Sequence, residues 1–323
     1  MGKYILKRIL WMIPIVLGVS ILVFTLMTFC PGNPAEIILG STATQDALDA
    51  KTQELGLNDP YLVRLGRYLT DVFIRRDLGA SWSTNVSIMQ TIAERLPRTL
   101  TLTIVTLLIA FGLGIPLGIM AATHQNRWQD SVSMMAALVG VAIPNFWLAL
   151  MLILLFSVRL GWLPAMGITD GLRSYILPAV SACMGSFATC ARQTRSSMLE
   201  VIRADYITTA RSKGVPERSV IFKHALKNGL IPIITMFGTT FGGMLGGMMI
   251  IETVFAIPGM GTYIITAVNN RDYPVVQGGT IFLAITFSIC MLVVDLLYAA
   301  VDPRIKAQYA GKKKVKKEES ENG

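Results

Sequence analysis

Residues 99–122 read TLTLTIVTLLIAFGLGIPLGIMAA, with no acidic, basic or amide side chain. A helix rises about 1.5 Å per residue, so about 20 such residues cross a hydrocarbon layer of about 30 Å. Inside that layer the backbone must satisfy its own hydrogen bonds, and a single apolar run does so only as a helix. The stretch reads as a membrane span. Working outward, residues 9–30, 132–157, 175–195, 229–251 and 276–300 read the same way. The expected fold is all-α, a polytopic membrane protein of about six transmembrane helices.

Composition agrees. Of 323 residues, 53% are hydrophobic and 15% charged, with a mean hydropathy of +0.55, which leaves a soluble fold too little polar surface. The net charge of +9 would suggest nucleic acid in a soluble protein; here it belongs to loops, and no nucleic-acid partner is expected. Cys30, Cys183, Cys190 and Cys290 lie in or beside apolar runs without disulfide or metal-site spacing, so they read as space-filling residues and no metal site is expected. The first apolar run, behind Lys3, Lys7 and Arg8, is too long for a signal peptide and lacks a cleavage site, so it reads as a retained span.

Basic residues orient the chain. Arg127, the cluster Arg203, Arg211, Lys213, Arg218, Lys223 and Lys227, and the tail with Arg304, Lys306 and Lys312–Lys317 fall in alternate loops or at the end, which puts both termini in the cytoplasm. Residues 31–98 are then extracytoplasmic, and their arginines lie in a segment too long for the charge rule to govern. Within them Tyr61, Leu62, Leu65, Tyr68, Leu69, Val72 and Phe73 recur at helical spacing opposite Arg64, Arg67, Asp71 and Arg75, the pattern of an amphipathic helix. The expected organisation is an N-terminal helix over 1–30, a structured outer segment over 31–98, a five-helix core over 99–301 and a basic cytoplasmic tail over 302–323, whose charge suits lipid headgroups. The fourth span is polar in its cytoplasmic half, with Ser181, Ser186, Thr189, Arg192, Gln193 and Arg195, as for a helix lining a wet path or packed on protein.

Between the fourth and fifth spans lies a loop, 196–230. No Pro or Gly occurs from 199 to 213, and Gly214-Val215-Pro216 is a stop signal, so one helix is expected to end there and another to start after Pro216. Read from the residues alone, this is a solvated connector or a rigid cytoplasmic protrusion. The stretch Asp205-Tyr-Ile-Thr-Thr-Ala-Arg-Ser-Lys-Gly214, with His224-Ala-Leu-Lys-Asn228, resembles the coupling loop of permease subunits of binding-protein-dependent ABC importers, in the version typical of the dipeptide, oligopeptide and nickel permeases. The general form of that loop is Glu-Ala-Ala, three residues, Gly, nine residues, Ile, one residue, Leu-Pro. Ala210, Gly214 and Leu226 match it, while Thr208, Thr209, His224 and Lys227 depart from it. The resemblance extends along the chain through Asp77-Leu-Gly-Ala-Ser81, Arg95-Leu-Pro-Arg-Thr-Leu100, Gly161-Trp-Leu-Pro164, Glu252-Thr-Val-Phe-Ala-Ile-Pro-Gly-Met-Gly261, Arg271-Asp-Tyr-Pro-Val-Val-Gln-Gly-Gly279, Val294-Asp-Leu-Leu-Tyr298 and Asp302-Pro-Arg304.

That resemblance implies a pore-forming subunit that carries di- or oligopeptides across the bacterial cytoplasmic membrane by alternating access. It implies a homologous second permease, two ATPase subunits that hold ATP and magnesium, and an extracytoplasmic substrate-binding protein, with no cofactor in this chain. Nickel chelates, glutathione and some sugars are cargo of near relatives. It places Arg203, Asp205, Tyr206, Thr209, Ala210, Arg211, Lys213, Gly214 and Arg218 at the ATPase contact. Small Ala210 and Gly214 would permit close approach, and the cations would steer an acidic partner surface.

Gly238, Gly242 and Gly246, spaced by four, with Gly243 and Gly247 one step round, form a seam in span five, as do Ala110, Gly114 and Gly118 in span two; either could face this chain or a sister permease. Pro116, Pro144, Pro178 and Pro232 fall in or beside spans and are expected to kink them. Pro144 and Asn145 in span three, Ser186 in span four and Asp295 in span six are candidates for the pore lining, with an ion pair between Asp295 and a span-four arginine the alternative for that acid. No phosphate-binding Gly-x-x-x-x-Gly-Lys-Ser/Thr motif occurs, so ATP hydrolysis is expected elsewhere. An intramembrane enzyme would need a nucleophile and base or a metal cluster at depth, and a stand-alone carrier a relay of buried ionisable groups; the sequence offers neither in full.

Overall fold

The computed structural model describes residues 2–40 and 42–301, so the basic tail over 302–323 lies outside the described residues. The described chain is almost wholly helical: α1 (Gly2–Phe29), α2 (Pro34–Leu39), α3 (Gln45–Glu54), α4 (Tyr61–Leu69), α5 (Ile88–Thr123), α6 (Trp128–Ala142), α7 (Asn145–Leu152), α8 (Ile176–Ile202), α9 (Asp205–Ser212), α10 (Glu217–Ser219), α11 (Leu226–Gly229), α12 (Ile231–Gly247), α13 (Met249–Val254), α14 (Met260–Asn269) and α15 (Tyr273–Val301). The one strand-like feature among these residues is an isolated bridge between Ala80 and Ser87.

Four continuous stretches are long and apolar enough to cross a membrane: Leu6–Phe29, Ile88–Thr123, Gly171–Ile202 and Tyr273–Leu296. The other two expected spans are bent pairs, and counting each as one gives six. Trp128–Ala142 and Asn145–Arg159 meet at 95°. Pro144 has no N–H to continue the helix, and its ring pushes Ile143 into extended backbone at φ −82°, ψ 123°. The expected kink is therefore a full break. Glu217–Gly229 and Ile231–Gly246 meet at 51°, just before Pro232.

The second span starts at Ile88, inside the segment assigned to the exterior from hydropathy. Ile88 and Ile92 are fully buried and Leu96 packs beside them, one face at spacing four, while Gln90 and Glu94 face outward. Packing of that stripe, which average hydropathy does not register, begins the helix.

The chain divides into two compact units. Among the described residues the first comprises 2–8, 101–244 and 289–301. In it α5 rides on α8 through two glycines: a Cβ at Gly114 would lie 2.9 Å from Cys190 Cβ, and one at Gly118 would lie 2.5 Å from Thr194 Cβ and 2.6 Å from the Ala191 carbonyl. Cys183 and Cys190 fill this interface as buried free thiols. α6 is held to α8 by a bidentate pair, Arg195 Nε to Asp130 Oδ1 at 2.6 Å and Nη2 to Oδ2 at 2.7 Å, while Asp130 Oδ2 also accepts the Asn126 N–H. Of the two span-four arginines Arg195 serves Asp130, and Asp295 pairs with Arg8 at 2.9 Å, so the alternative of an ion pair between Asp295 and a span-four arginine is corrected. A Cβ at Gly238 would collide with Val294, so that glycine is a seam within the chain; Gly242 is buried, and Gly246 faces open space.

The second unit comprises 9–100 and 245–288. The expected amphipathic helix is α4, extended by a π-helical turn over Thr70–Arg75. Tyr61 and Tyr68 pack on Phe24, with ring centroids 5.8 and 5.1 Å away. Leu62 and Phe73, counted on the apolar face, are exposed: Leu62 sits about 100° round the helix from the packed Tyr61, and Phe73 lies in the wider π turn, which shifts the phase of the helix.

Two buried carboxylates close this unit. Glu252, fully buried, accepts the Thr99 hydroxyl at 2.5 Å and the Thr262 N–H at 3.0 Å, while Thr99 Oγ1 in turn accepts the Met260 N–H. Burial pushes the Glu252 carboxyl above the usual carboxylate range against the pull of these donors. Asp272 accepts the Ser81 hydroxyl at 2.5 Å and the N–H groups of Trp82 and Ser83. The Asp77–Ser81, Glu252–Gly261 and Arg271–Gly279 motifs are the chain segments these two acids tie together.

Replacing Gly118 with Leu should lower the melting temperature of the detergent-purified chain, with a cost of about 1–3 kcal/mol from overpacking against α8. Gly112→Ala, at a helix position with open space, should be neutral or slightly stabilising by up to about 1 kcal/mol. Equal melting curves for Gly118→Leu and the parent would contradict the seam.

Candidate functional site

The loop 196–230 folds as an elbow in the first unit. A helix ends before Gly214 and another starts after Pro216, as expected, but the stretch 199–213 is not one helix: α8 ends at Ile202, and the chain turns at Arg203 and Ala204 before α9. Ala204 is extended (φ −71°, ψ 147°), and Asp205 sits in the first turn of α9, where its charge complements the helix dipole. The break lets α9 lay Ile207 under itself. That side chain is fully buried in a cluster with Ile119, Ala122, Met198, Val220 and Ala225, joining α9 to α5, α8 and the following helices.

Polar contacts brace the same piece. Asn228 Nδ2 donates to the Tyr206 hydroxyl at 2.8 Å, and Ser197 donates to the Gly229 carbonyl at 2.8 Å. Arg211 grips Glu217 through Nε and Nη2, at 3.1 and 2.7 Å, across the turn at Lys213–Pro216, and Arg203 reaches Gln125 at 3.0 Å. Gly214 is at φ +76°, where a side chain is strained, although the space around a Cβ there is empty. Its requirement is thus the turn itself.

Of the residues singled out in sequence, Arg203, Asp205, Tyr206, Thr209, Arg211, Lys213, Gly214 and Arg218 are exposed on this elbow, while Ala210 is half-buried against its core. Phe222, on the π-helical turn over Val220–Ala225, adds an exposed aromatic that the sequence reading did not select. Ile207 and Asn228 stood in the quoted motifs without a role, and Gln125 and Glu217 were missed. Glu217 could have been found as an acid six residues beyond Arg211 across a Gly-Val-Pro turn; the other partners lie too far along the chain for a local signal.

The pore-lining candidates are not joined to one another. Pro144 and Asn145 are exposed at the 95° break, Ser186 is half-buried on α8, and Asp295 is held by Arg8. Asn145 and Ser186 make no side-chain hydrogen bond among the described residues.

Comparison with known proteins gives a consistent family. Residues 114–307 match the binding-protein-dependent transport system inner membrane component, and residues 1–103 match the N-terminal region of the same class of membrane component. The dipeptide transport system permease protein DppB of Alkalihalophilus pseudofirmus is 44% identical over 333 residues, covering 95% of this chain and 100% of that protein. A putative peptide transport system permease protein of Brucella abortus is 43% identical over 95% of this chain and 99% of that protein. The glutathione transport system permease protein GsiC of Salmonella paratyphi A is 42% identical over 95% of this chain and 99% of its own length. Among solved structures, an inward-facing MetNI methionine ABC transporter chain superimposes with a TM-score of 0.57 at 19% identity, covering 67% of this chain and 98% of that one, a likeness of fold. With its helices, its motifs and these relatives in agreement, the chain belongs to the inner-membrane permease components of binding-protein-dependent transport systems.

Proposed function

We propose that this chain is one half of the pore of an ATP-driven importer of di- or oligopeptides, moved through the elbow by a separate ATPase subunit. The relatives named for dipeptide, peptide and glutathione transport support the cargo class. The observation that carries the coupling is the elbow itself: α9 exposes Tyr206 and Thr209, with Lys213, Arg218 and Phe222 beside it, while Ile207 fixes the same helix to the ends of two long apolar helices. A partner that grips the exposed face would move a solid piece.

In this reading Tyr206 and Phe222 supply aromatic contact area, and Arg203, Lys213 and Arg218 attract an acidic groove. Arg211 belongs more to the turn than to the partner, since Glu217 occupies it. ATP and magnesium reside on two ATPase subunits, a binding protein delivers cargo on the outer side, and a second permease completes the path. The open face at Gly243 and Gly246 has room for the backbone of that sister subunit. Alternating access follows when the two ATPases close on ATP and carry their elbows with them.

Two outcomes test the coupling. Gly214→Val strains the turn and should abolish peptide-stimulated ATP turnover by the reconstituted importer while the chain still inserts. Gly214→Asn, a residue that tolerates positive φ, should retain most of it. Undiminished uptake by the valine variant would contradict the assignment. Phe222→Asp should weaken recovery of the ATPase with the permease by about ten-fold or more, as expected for loss of a buried aromatic anchor; unchanged recovery would remove Phe222 from the contact.

A further inference from the structure

The second unit contains a cavity of about 270 Å³ bounded by α1, α4, the loop that carries Asp77–Trp82 and the start of α15. Its walls are aromatic: Phe24, Tyr68, Trp82 and Tyr273 all contribute. Four charged side chains also border it, and they are not equivalent. Arg67 is taken by Asp59 at 2.7 Å, and Asp71 by Arg75 at 2.9 Å. Arg64 and Asp77 form no ion pair among the described residues. Arg64 is half-buried above the Phe24 ring at 5.9 Å and donates a long hydrogen bond to the Leu57 carbonyl at 3.5 Å. Asp77 accepts the Gly79 N–H with Oδ1, which leaves Oδ2 open.

A third group points the same way. Gln277 lines the cavity at 8% exposure, and its amide has no hydrogen-bond partner among the described residues. An amide without a partner can both donate and accept, so it suits a ligand that carries a peptide bond. The cavity therefore offers a free cation, a free anion and an amide between aromatic walls.

We propose that this cavity binds a short zwitterionic peptide. Arg64 takes the carboxylate, for which its planar guanidinium is well shaped, Asp77 takes the ammonium, and Gln277 pairs with the intervening peptide bond. The volume lies below the ~300–1,000 Å³ of pockets for drug-sized ligands, which suits a dipeptide better than a long chain. The proposal rests on the reading of this protein as a peptide permease and goes beyond it, because it gives the permease its own cargo site in addition to the one on the binding protein.

Equilibrium dialysis of radiolabelled glycyl-leucine against the full chain in nanodiscs tests it. Saturable binding is expected, weakened at least ten-fold by N-acetylation and at least ten-fold by C-amidation of the peptide. Arg64→Gln should make the free acid and the amide bind alike without removing the penalty for acetylation, and Asp77→Asn should do the converse. Melting temperatures equal to the parent's establish that both variants are folded. The site is overturned by the absence of saturable binding, by equal affinity for free and blocked peptides, or by discrimination that survives both substitutions. Uptake by the complete importer is a separate readout: uptake without binding to this chain removes the site and leaves the transport reading, whereas binding without peptide uptake supports the site and counts against that reading.

Discussion

The burial of Ile207 is the contact on which the proposed coupling depends. A short helix of eight residues is not stable by itself in water, and α9 carries mostly exposed polar side chains. One isoleucine, wholly enclosed by residues of α5, α8 and the turns that follow, supplies the anchor; full burial of such a side chain is worth roughly 1.5–3 kcal/mol. Around it, Asn228 holds Tyr206 and Glu217 holds Arg211, contacts that are individually weak at the surface but fix the orientation of the exposed face. Force applied to that face is passed to packed side chains at the ends of long helices.

The remaining motifs have a common physical logic. Asp130, Glu252 and Asp272 are carboxylates with almost no contact with solvent, and each gathers donors from distant parts of the chain. Asp130 joins the α5–α6 turn to α8, Glu252 joins Thr99 of α5 to the first turn of α14, and Asp272 joins the Ser81 turn to the segment before α15. Each is costly to bury and stays only because its lone pairs are filled. Glycine follows from this crowding: a Cβ at Gly261 would lie 2.9 Å from a Glu252 oxygen and 2.6 Å from the Met249 backbone.

Much of the architecture was legible because lipid imposes a length and an apolar composition, and these survive as uninterrupted runs such as 99–122. What escaped was set by contacts instead of averages. Ile88, Ile92 and Leu96 begin α5 eleven residues before hydropathy does, and the 95° break at Pro144 exceeds what a proline alone announces. The elbow was readable as a place, since Gly214-Val-Pro216 stops a helix and the flanking charges mark a loop. Its internal construction was not: the turn at Arg203 and Ala204 exists because it allows Ile207 to reach a pocket assembled from residues up to 88 positions away, at Ile119. The Arg195–Asp130 pair had no local signal for the same reason, because 65 residues separate the two groups until α6 lies against α8.

The central claim is that the elbow is already a rigid extension of the helices before any partner binds. Hydrogen exchange of the full chain alone in nanodiscs measures this directly at the amides of Asp205–Ser212. Protection of roughly 100-fold or more over an unstructured peptide, lost when Ile207 is replaced with Ala, is the result expected of a segment that opens only when its core contact is broken. Exchange at the unprotected rate in the parent chain would mean that the elbow is ordered only by its partner, and the account of a preformed coupling element would fail.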